Sequence, residues 1–270
     1  MKRFALALVL LSISARGAAV TQNSTPQKSL TVRNLTLINL TQLPVTDYEQ
    51  IVQEIESRRY ESNSPTEFSE LIRYALQERG YFRPEVGEAE ITVISETPAE
   101  MVVDVNVRVN PGSLYRLDEI RLQGYKAFSP EQLRAQFPIS PGELFNVEKV
   151  RKGIENLRRL YADNGFINFT PVPDTEVLDP GNRLRLTVTL DEGDRFYFGD
   201  LKVTGLLQNL EAAQTVTADW ASYKGKPYSF TGLEKFLEQH QLLPPGFRPE
   251  QNLSIRQDAK SHTVTIEVLP

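Results

Sequence analysis

Few side chains in this sequence have the types and spacing that chemistry requires. Histidine occurs only twice, at His240 and His262, and cysteine does not occur. Neither histidine has a second histidine or a carboxylate at the spacing of a zinc-ligand motif, so we predict no metal site. The lack of cysteine excludes disulfides, thiolate catalysis and cysteine-ligated zinc.

The acidic run Asp191-Glu192-Gly193-Asp194 is the segment that comes nearest to a metal-binding loop. It lacks the spaced oxygen donors and the terminal glutamate of a calcium loop, which favours a simple turn. We also find no nucleophile elbow, phosphate-binding loop, dinucleotide fingerprint or HExxH motif. The sequence therefore predicts a protein that is not an enzyme and has no cofactor.

The composition is that of a soluble globular protein. The 270 residues are 40% hydrophobic and 24% charged, with a net charge of −5. This length allows two or three small domains, and the charge gives no basic field for nucleic acid. Basic side chains do gather on a predicted helix, at Lys149, Arg151, Lys152, Arg158 and Arg159. Because glutamates are interspersed among them, we interpret this as a solvated face rather than a docking site for acidic partners or lipid headgroups.

The N-terminus is typical of a secretory signal. Lys2-Arg3 precedes the apolar stretch Phe4 to Ala15, and small residues follow up to Ala19. Twelve residues rise only about 18 Å as a helix, which is too short to span a hydrocarbon core of about 30 Å. We therefore predict a signal peptide over residues 1–19 and a flexible lead-in over 20–29, with an uncleaved anchor as the alternative. We expect an exported protein of the periplasm, with peripheral outer-membrane association as a further expectation.

A segment type recurs three times along the chain. Gly80-Tyr81, Gly165-Phe166 and Gly246-Phe247 each follow an amphipathic helix, at intervals of 85 and 81 residues. The strands that end at Gly124 and Gly205 repeat with the same 81-residue interval. Such a period indicates one structural unit used in series, which is more often a scaffold than an enzyme.

The second copy shows the unit most clearly. A strand over 117–124 precedes a short helix that begins with a capping box at Ser129 to Gln132. A long helix over 147–162 ends at Gly165, and a ragged strand over 167–172 follows. Pro171 and Pro173 place that strand at a sheet edge, because proline cannot donate to a ladder. The last strand, over 183–190, alternates apolar and polar residues and so buries one face.

The first and third copies follow the same order. In the third, Thr231 is predicted to cap the long helix. The fold class is therefore α+β: three tandem βααββ modules, each a three-stranded mixed sheet covered on one face by two helices. We place the modules at residues 30–113, 114–194 and 195–270.

These features resemble the POTRA (polypeptide-transport-associated) domain. The closest segment is 184–205, LRLTVTLDEGDRFYFGDLKVTG, and its first-copy counterpart is 103–124, VDVNVRVNPGSLYRLDEIRLQG. The resemblance covers Leu30 to Pro270. It implies a periplasmic array like those of BamA- and TamA-like outer-membrane assembly proteins, in which the second strand of each module is a sheet edge. It also implies that partner or client chains bind by adding a strand to that edge.

One feature departs from the family pattern. The sequence stops after the third copy, without the series of ten-residue amphipathic strands that a barrel needs. It either works beside a separate barrel protein, is a POTRA-only adaptor, or is a fragment. The expected partners are an outer-membrane β-barrel protein or assembly factors, and unfolded envelope client polypeptides.

Two edge strands are candidates for client binding. One comprises Ile167, Phe169 and Thr170, although its prolines could protect it from pairing. The other comprises Leu253, Ser254 and Ile255, which have no proline nearby on the strand. The function expected is a periplasmic scaffold for outer-membrane protein assembly or secretion. The alternative is a structural envelope adaptor, division- or wall-associated, which would keep an uncleaved anchor.

Overall fold

The computed structural model describes residues 3–4, 29–38, 43–61, 64–178, 180–204, 210–243 and 246–269. The predicted signal peptide and lead-in lie outside these residues, apart from Ser29 and a two-residue strand, β1 (Arg3–Phe4). By its internal contacts the chain divides into two compact units. The first holds Met1–Arg121, Pro138–Arg151 and Pro173–Thr187, and the second holds Leu122–Phe137, Lys152–Val172 and Val188–Pro270.

The first module lies within the first unit. Its elements are β2 (Ser29–Ile38), α1 (Val45–Glu56), β3 (Arg59–Tyr60), α2 (Pro65–Glu78), β4 (Glu85–Val86), β5 (Glu90–Glu96) and β6 (Glu100–Asn110). β2 runs parallel to β6, and β4 and β5 both pair antiparallel with β6 at successive places. Together β4 and β5 are one interrupted edge strand, and the short β3 adds to the opposite edge beside β2.

The core of this module lies between the sheet and its two helices. Alternate residues of β6, Val103, Val105, Val107 and Val109, are buried. They pack with buried residues of α1 and α2 such as Ile51, Phe68 and Ile72. Because the residues between them are polar, one face of the sheet is apolar and the other faces water.

The middle module has residues in both units. Its elements are β7 (Arg116–Gln123), α3 (Pro130–Arg134), α4 (Val147–Ala162), β8 (Thr170–Leu178) and β9 (Arg183–Asp191). Both hydrogen bonds of the predicted capping box of α3 are present between Ser129 and Gln132. The strand order is β1-β8-β9-β7, so β8 is the edge of the three long strands, as its prolines predict.

The third module lies in the second unit. Its elements are β10 (Tyr197–Val203), α5 (Leu210–Trp220), α6 (Phe230–Gln239), α7 (Pro249–Asn252), β11 (Leu253–Asp258) and β12 (Thr263–Val268). The sheet order is β10-β12-β11, with β10 parallel and β11 antiparallel to the central β12. Val264, Ile266 and Val268 are buried against an aromatic cluster that includes Trp220 and Phe236. The three mixed sheets with their helices confirm the predicted α+β class.

The three long helices end in the same way, but the third does so at an unexpected residue. Tyr81 N donates to Leu76 O at 3.2 Å, and Phe166 N donates to Tyr161 O at 3.0 Å, each after a glycine with positive φ. In the third copy Leu242 N donates to Leu237 O at 2.8 Å, and the residue before it is Gln241 with φ 53°. The prediction that Gly246-Phe247 ends this helix is therefore wrong, because Gln241 itself adopts the left-handed conformation that closes it.

Candidate binding edges and module junctions

The first predicted client edge starts later than expected. Ile167 and Asn168 form a turn and Phe169 is irregular, so of the three candidates only Thr170 belongs to β8. Phe169 instead stacks on Tyr161, with ring centroids 3.8 Å apart, and Ile167 packs against the core of the third module. Burial of these two apolar side chains draws the backbone away from the sheet, so the assignment of a strand over 167–172 is wrong.

In β8 as the structure defines it, the two prolines that oppose pairing lie near the start of the strand. Pro171 and Pro173 both lie within the strand, and Val172 between them is 56% exposed. At its far end, Thr175 and Glu176 pair with β1. The amides available for a further strand on β8 are therefore few.

The second predicted edge lies where the sequence places it. Leu253, Ser254 and Ile255 begin β11, which pairs only with β12 in the part of the chain that the structure describes. Ile255 is 40% exposed, and the residues after it in the strand, Arg256 to Asp258, are polar. An open cavity of about 230 Å³ lies on the polar face beside Arg256, Asp258 and Lys202.

A third edge, β5 of the first module, is not one of the two candidates predicted from the sequence. Val93 is 47% exposed and Ile94 is 41% exposed, and within the described ranges β5 pairs only with β6. The signal was available as the alternating run Glu90 to Val93, free of proline, which is typical of a strand.

Two module junctions are built from matching hydrogen bonds. At the first, Tyr115 N donates to Gly80 O at 2.8 Å, and Phe145 N donates to Tyr115 O at 2.9 Å. At the second, Phe196 N donates to Gly165 O at 2.8 Å, and Tyr228 N donates to Phe196 O at 2.9 Å. Each helix stop is thus tied by its glycine carbonyl to the first residues of the next module.

A second contact at each junction joins the helix end to the start of the next long helix. Asn146, whose Oδ1 accepts from Lys149 N at the start of α4, donates from Nδ2 to Glu78 O at 2.5 Å. Ser229, the N-cap of α6, donates from Oγ to Asp163 Oδ1 at 2.9 Å. Glu78 and Asp163 both lie two residues before the glycine. Thr231, predicted as the cap, instead donates its hydroxyl to Asp163 Oδ2 at 3.2 Å.

Glu192 attaches the acidic run Asp191 to Asp194 to the body of the middle module by hydrogen bonds. Its Oε1 accepts from Tyr161 Oη at 2.8 Å, Lys126 N at 2.9 Å and Ala127 N at 3.0 Å. Burial alone would raise the pKa of Glu192, but these hydrogen bonds favour the carboxylate and lower its pKa. Burial and the same carboxylate raise the pKa of Tyr161. The acidic run is therefore a structural linker, and sequence reasoning gave Glu192 no such role.

Charges also gather at the first junction, around Glu148. Tyr74 donates its hydroxyl to Glu148, and Arg151 pairs with the same carboxylate. Burial and then the hydrogen bond to Glu148 raise the pKa of Tyr74 to about 12. Burial first, and then the carboxylates of Glu54 and Glu148, also raise the pKa of Glu78. This junction therefore contains a carboxylate that is less stable ionised than it would be in water.

The two histidines occupy structural positions. His240 follows α6, with its ring 4.3 Å from that of Phe236 and Nε2 3.5 Å from an Asp219 oxygen. His262 lies in a turn with φ 52°. The described residues contain no group of three side chains able to hold a metal ion. Among them, no helix has the length and apolar composition that crossing a membrane requires.

The middle repeat matches a known domain family. Residues 115–193 match the family model named POTRA, described as "Surface antigen variable number repeat". The solved structure of Haemophilus influenzae BamA POTRA3-5 superposes with a TM-score of 0.60 at 14% identity, covering 91% of this chain and 98% of that one. A likeness at this identity shows the fold. Over most of its length the chain has the fold of a POTRA array, similar to that of BamA POTRA3-5.

Two curated relatives are similar over part of the chain. The outer membrane protein assembly factor BamA of Neisseria meningitidis serogroup B is 24% identical over 114 residues, which is 38% of this chain and 14% of that protein. A putative outer membrane protein assembly factor of Treponema pallidum is 30% identical over 90 residues, 33% of this chain and 11% of that protein. The matched segments are thus a small share of the length of these relatives.

Proposed function

We propose that this chain is a scaffold in outer-membrane protein assembly, and that it acts in the periplasm. The observation that carries the proposal is the repeated sheet. Among the described residues, β5 and β11 each pair only with the central strand of their sheet, and β8 pairs with β9 and, over two residues, with the short β1. The similarity to two outer-membrane assembly factors supports the same role.

The scaffold binds client or partner chains by strand addition. An edge strand offers a row of backbone N–H and C=O groups, and an extended polypeptide satisfies them whatever its sequence. This suits unfolded segments that later become strands. An outer-membrane β-barrel protein and its assembly factors are the proposed partners. The three modules, at residues 30–113, 114–194 and 195–270, act as successive platforms along the chain.

Binding of strand-forming peptides tests the function. Labelled peptides copied from outer-membrane β-strands are titrated with the full chain and followed by fluorescence anisotropy. A control peptide has the same length and prolines at alternate positions, so that it cannot add a strand. We expect saturable binding of the first peptide only. Equal binding of both, or binding of neither, would contradict strand addition.

Recovery of partners tests the wider role. The tagged chain is used to isolate proteins from envelope extracts, with a tagged unrelated periplasmic protein as the control. We expect enrichment of barrel proteins, assembly factors or unfolded outer-membrane clients. Recovery of none of these classes would count against the role in assembly.

The mature N-terminus tests export. A cleaved signal peptide predicts that the exported protein begins after Gly17 or Ala19, both in the small-residue stretch. N-terminal sequencing of the protein from the envelope fraction measures this directly. An intact Met1 would favour the anchored envelope adaptor instead.

A further inference from the structure

The edge strand β5 differs from the other two edges in how much apolar surface it leaves open. In the ladder, Ile91 lies opposite Val105 and Val93 lies opposite Val103. Val103 and Val105 are completely buried, yet Val93 in the same apolar row remains 47% exposed. The apolar face of the first sheet therefore continues to its edge and meets solvent there.

Ile94 adds a second exposed aliphatic side chain. The register shifts between Val93 and Ser95, so Ile94 is the extra residue of a β-bulge and is 41% exposed. A bulge re-aims side chains and shortens the straight part of an edge. The stretch best suited to receive another strand is thus Glu90 to Val93, with Ile94 beside it.

The other edges carry features that oppose pairing. β8 has Pro171 and Pro173 within the strand. β11 reads LSIRQD, with polar residues at four of its six positions. β5 reads EITVISE, without proline and with three aliphatic residues. Natural edge strands are commonly blunted by proline or charge in the strand, and the centre of β5 has neither.

The charged residues along β5 and its flanking segments are mostly acidic. From Pro84 to Val107 the sequence has six acidic residues and no lysine or arginine: Glu85, Glu88, Glu90, Glu96, Glu100 and Asp104. Asp104 is paired with Arg33 of β2, and Arg108 lies beside Glu88 and Glu90 at one end of the edge. β5 itself begins and ends with glutamate. The acidic residues between Pro84 and Val107 therefore flank an apolar edge strand; together they are called the acidic surround.

This charge pattern decides between occupants. A second copy of the chain paired through β5 would place one acidic surround against another, and like charges across strands are destabilising. A partner strand with lysine or arginine on either side of aliphatic residues would satisfy the ladder, cover Val93 and pair with the glutamates.

We propose that β5 is the acceptor edge for extended segments that alternate aliphatic with basic residues. This rests on the proposed function and names the site and the chemical class of its partner. The aliphatic side chains cover Val93 and Ile94, and the basic ones face Glu88 and Glu90 on the polar face. Binding consequently weakens with salt, since the charges are exposed and screened.

Three peptides test the proposal with the full chain. One alternates valine and lysine, one alternates valine and glutamate, and one is the valine–lysine peptide with prolines inserted. We expect only the first to bind, and its affinity to fall as salt is raised. Amide hydrogen exchange locates the bound strand, and protection should be confined to residues 90–96.

Variants of the chain test the two components of the site separately. E88K/E90K should reverse the preference toward the valine–glutamate peptide. V93T/I94T, which keeps β-branching, should weaken binding about tenfold through lost apolar burial. Ile255→Thr on β11 is the matched control and should leave the affinity unchanged. Far-UV circular dichroism checks that each variant is folded. The exchange measurement uses the unaltered chain, so its result does not depend on the folding of any variant.

The outcomes separate this proposal from the proposed function. Protection at β8 or β11 instead of β5 overturns the β5 assignment and leaves strand addition standing. Equal affinity for the valine–lysine and valine–glutamate peptides overturns the partner class. Binding of no strand-forming peptide, whether these or barrel-derived ones, overturns strand addition as well.

Discussion

Asp163, two residues before the helix-stop glycine of the second module, accepts the hydroxyl hydrogen bond of Ser229, the N-cap of the third module's long helix, at 2.9 Å. Its other oxygen accepts from the Thr231 hydroxyl. One carboxylate therefore caps the next helix and joins two modules. The matching contact at the first junction uses a backbone oxygen, that of Glu78, so this particular contact involves a carboxylate only at the second junction.

We predict that Asp163→Ala loosens the second junction. The carboxylate stabilises the positive end of α6, and its loss should cost about 1 to 2 kcal/mol of unfolding free energy. Because the chain has no cysteine, spin labels can be placed at Arg159→Cys and Lys235→Cys alone. Their distance distribution, measured by double electron–electron resonance, should broaden. Asp219→Ala is the control, and an unchanged distribution in Asp163→Ala would contradict the prediction.

Gly165 is predicted to tolerate no side chain. Its φ is 91°, and an added Cβ would lie 2.4 Å from Phe196 O in the junction. Gly142 has a similar φ of 90°, and a Cβ added there would meet no atom within 4 Å. Its substitution therefore measures the backbone strain without the steric clash. Gly142→Ala should cost about 1 kcal/mol and Gly165→Ala clearly more, on the order of 3 kcal/mol. Denaturant unfolding measures both, and equal losses would contradict the close approach.

The pKa of Glu192 predicts a loss of stability in acid. Its folded-state pKa is lowered, so the carboxylate contributes stability above its unfolded pKa, and this is lost as the pH falls through the folded value. Glu192→Gln should therefore lower the unfolding free energy at neutral pH, by about 1 kcal/mol, and less at acidic pH. Urea unfolding over this pH range measures the difference. A constant difference at all pH values would show that the charge has no part in the effect.

Glu78 should behave in the opposite way. Its pKa is raised in the folded state, so ionisation at neutral pH opposes folding and stability declines as the pH rises through the folded pKa. Glu78→Gln is expected to stabilise the chain at neutral pH by about 0.5 kcal/mol. Glu70→Gln, on the same helix in an exposed pair with Arg73, is the control and should be neutral or slightly destabilising. Destabilisation by Glu78→Gln would contradict the prediction.

Regular patterns made much of the fold predictable. The helix over 147–162 and the capping box at Ser129 are confirmed, because an apolar stripe and a cap are local properties of the chain. The edge position of β8 follows from its prolines for the same reason. A single alternating run over 183–190 was enough to place a buried sheet face.

The remainder depends on tertiary contacts that no local pattern encodes. Phe169 was assigned to a strand, but it stacks on Tyr161 because burial of two rings outweighs one ladder position. The third long helix stops at Gln241 and not at the predicted Gly246, because Gln241 adopts the left-handed conformation although it is not a glycine. Glu192 looked like a turn residue, and its role appears only when Tyr161 and the Lys126–Ala127 backbone are brought to it.

Amide hydrogen exchange of the full chain with a strand-forming client peptide tests the central claim most directly. Strand addition converts open edge amides into ladder hydrogen bonds, so their exchange should slow on binding. We predict protection along β5, with the inner strands β6, β9 and β12 unchanged from the free protein. Peptide binding without new protection in any edge strand would contradict the account.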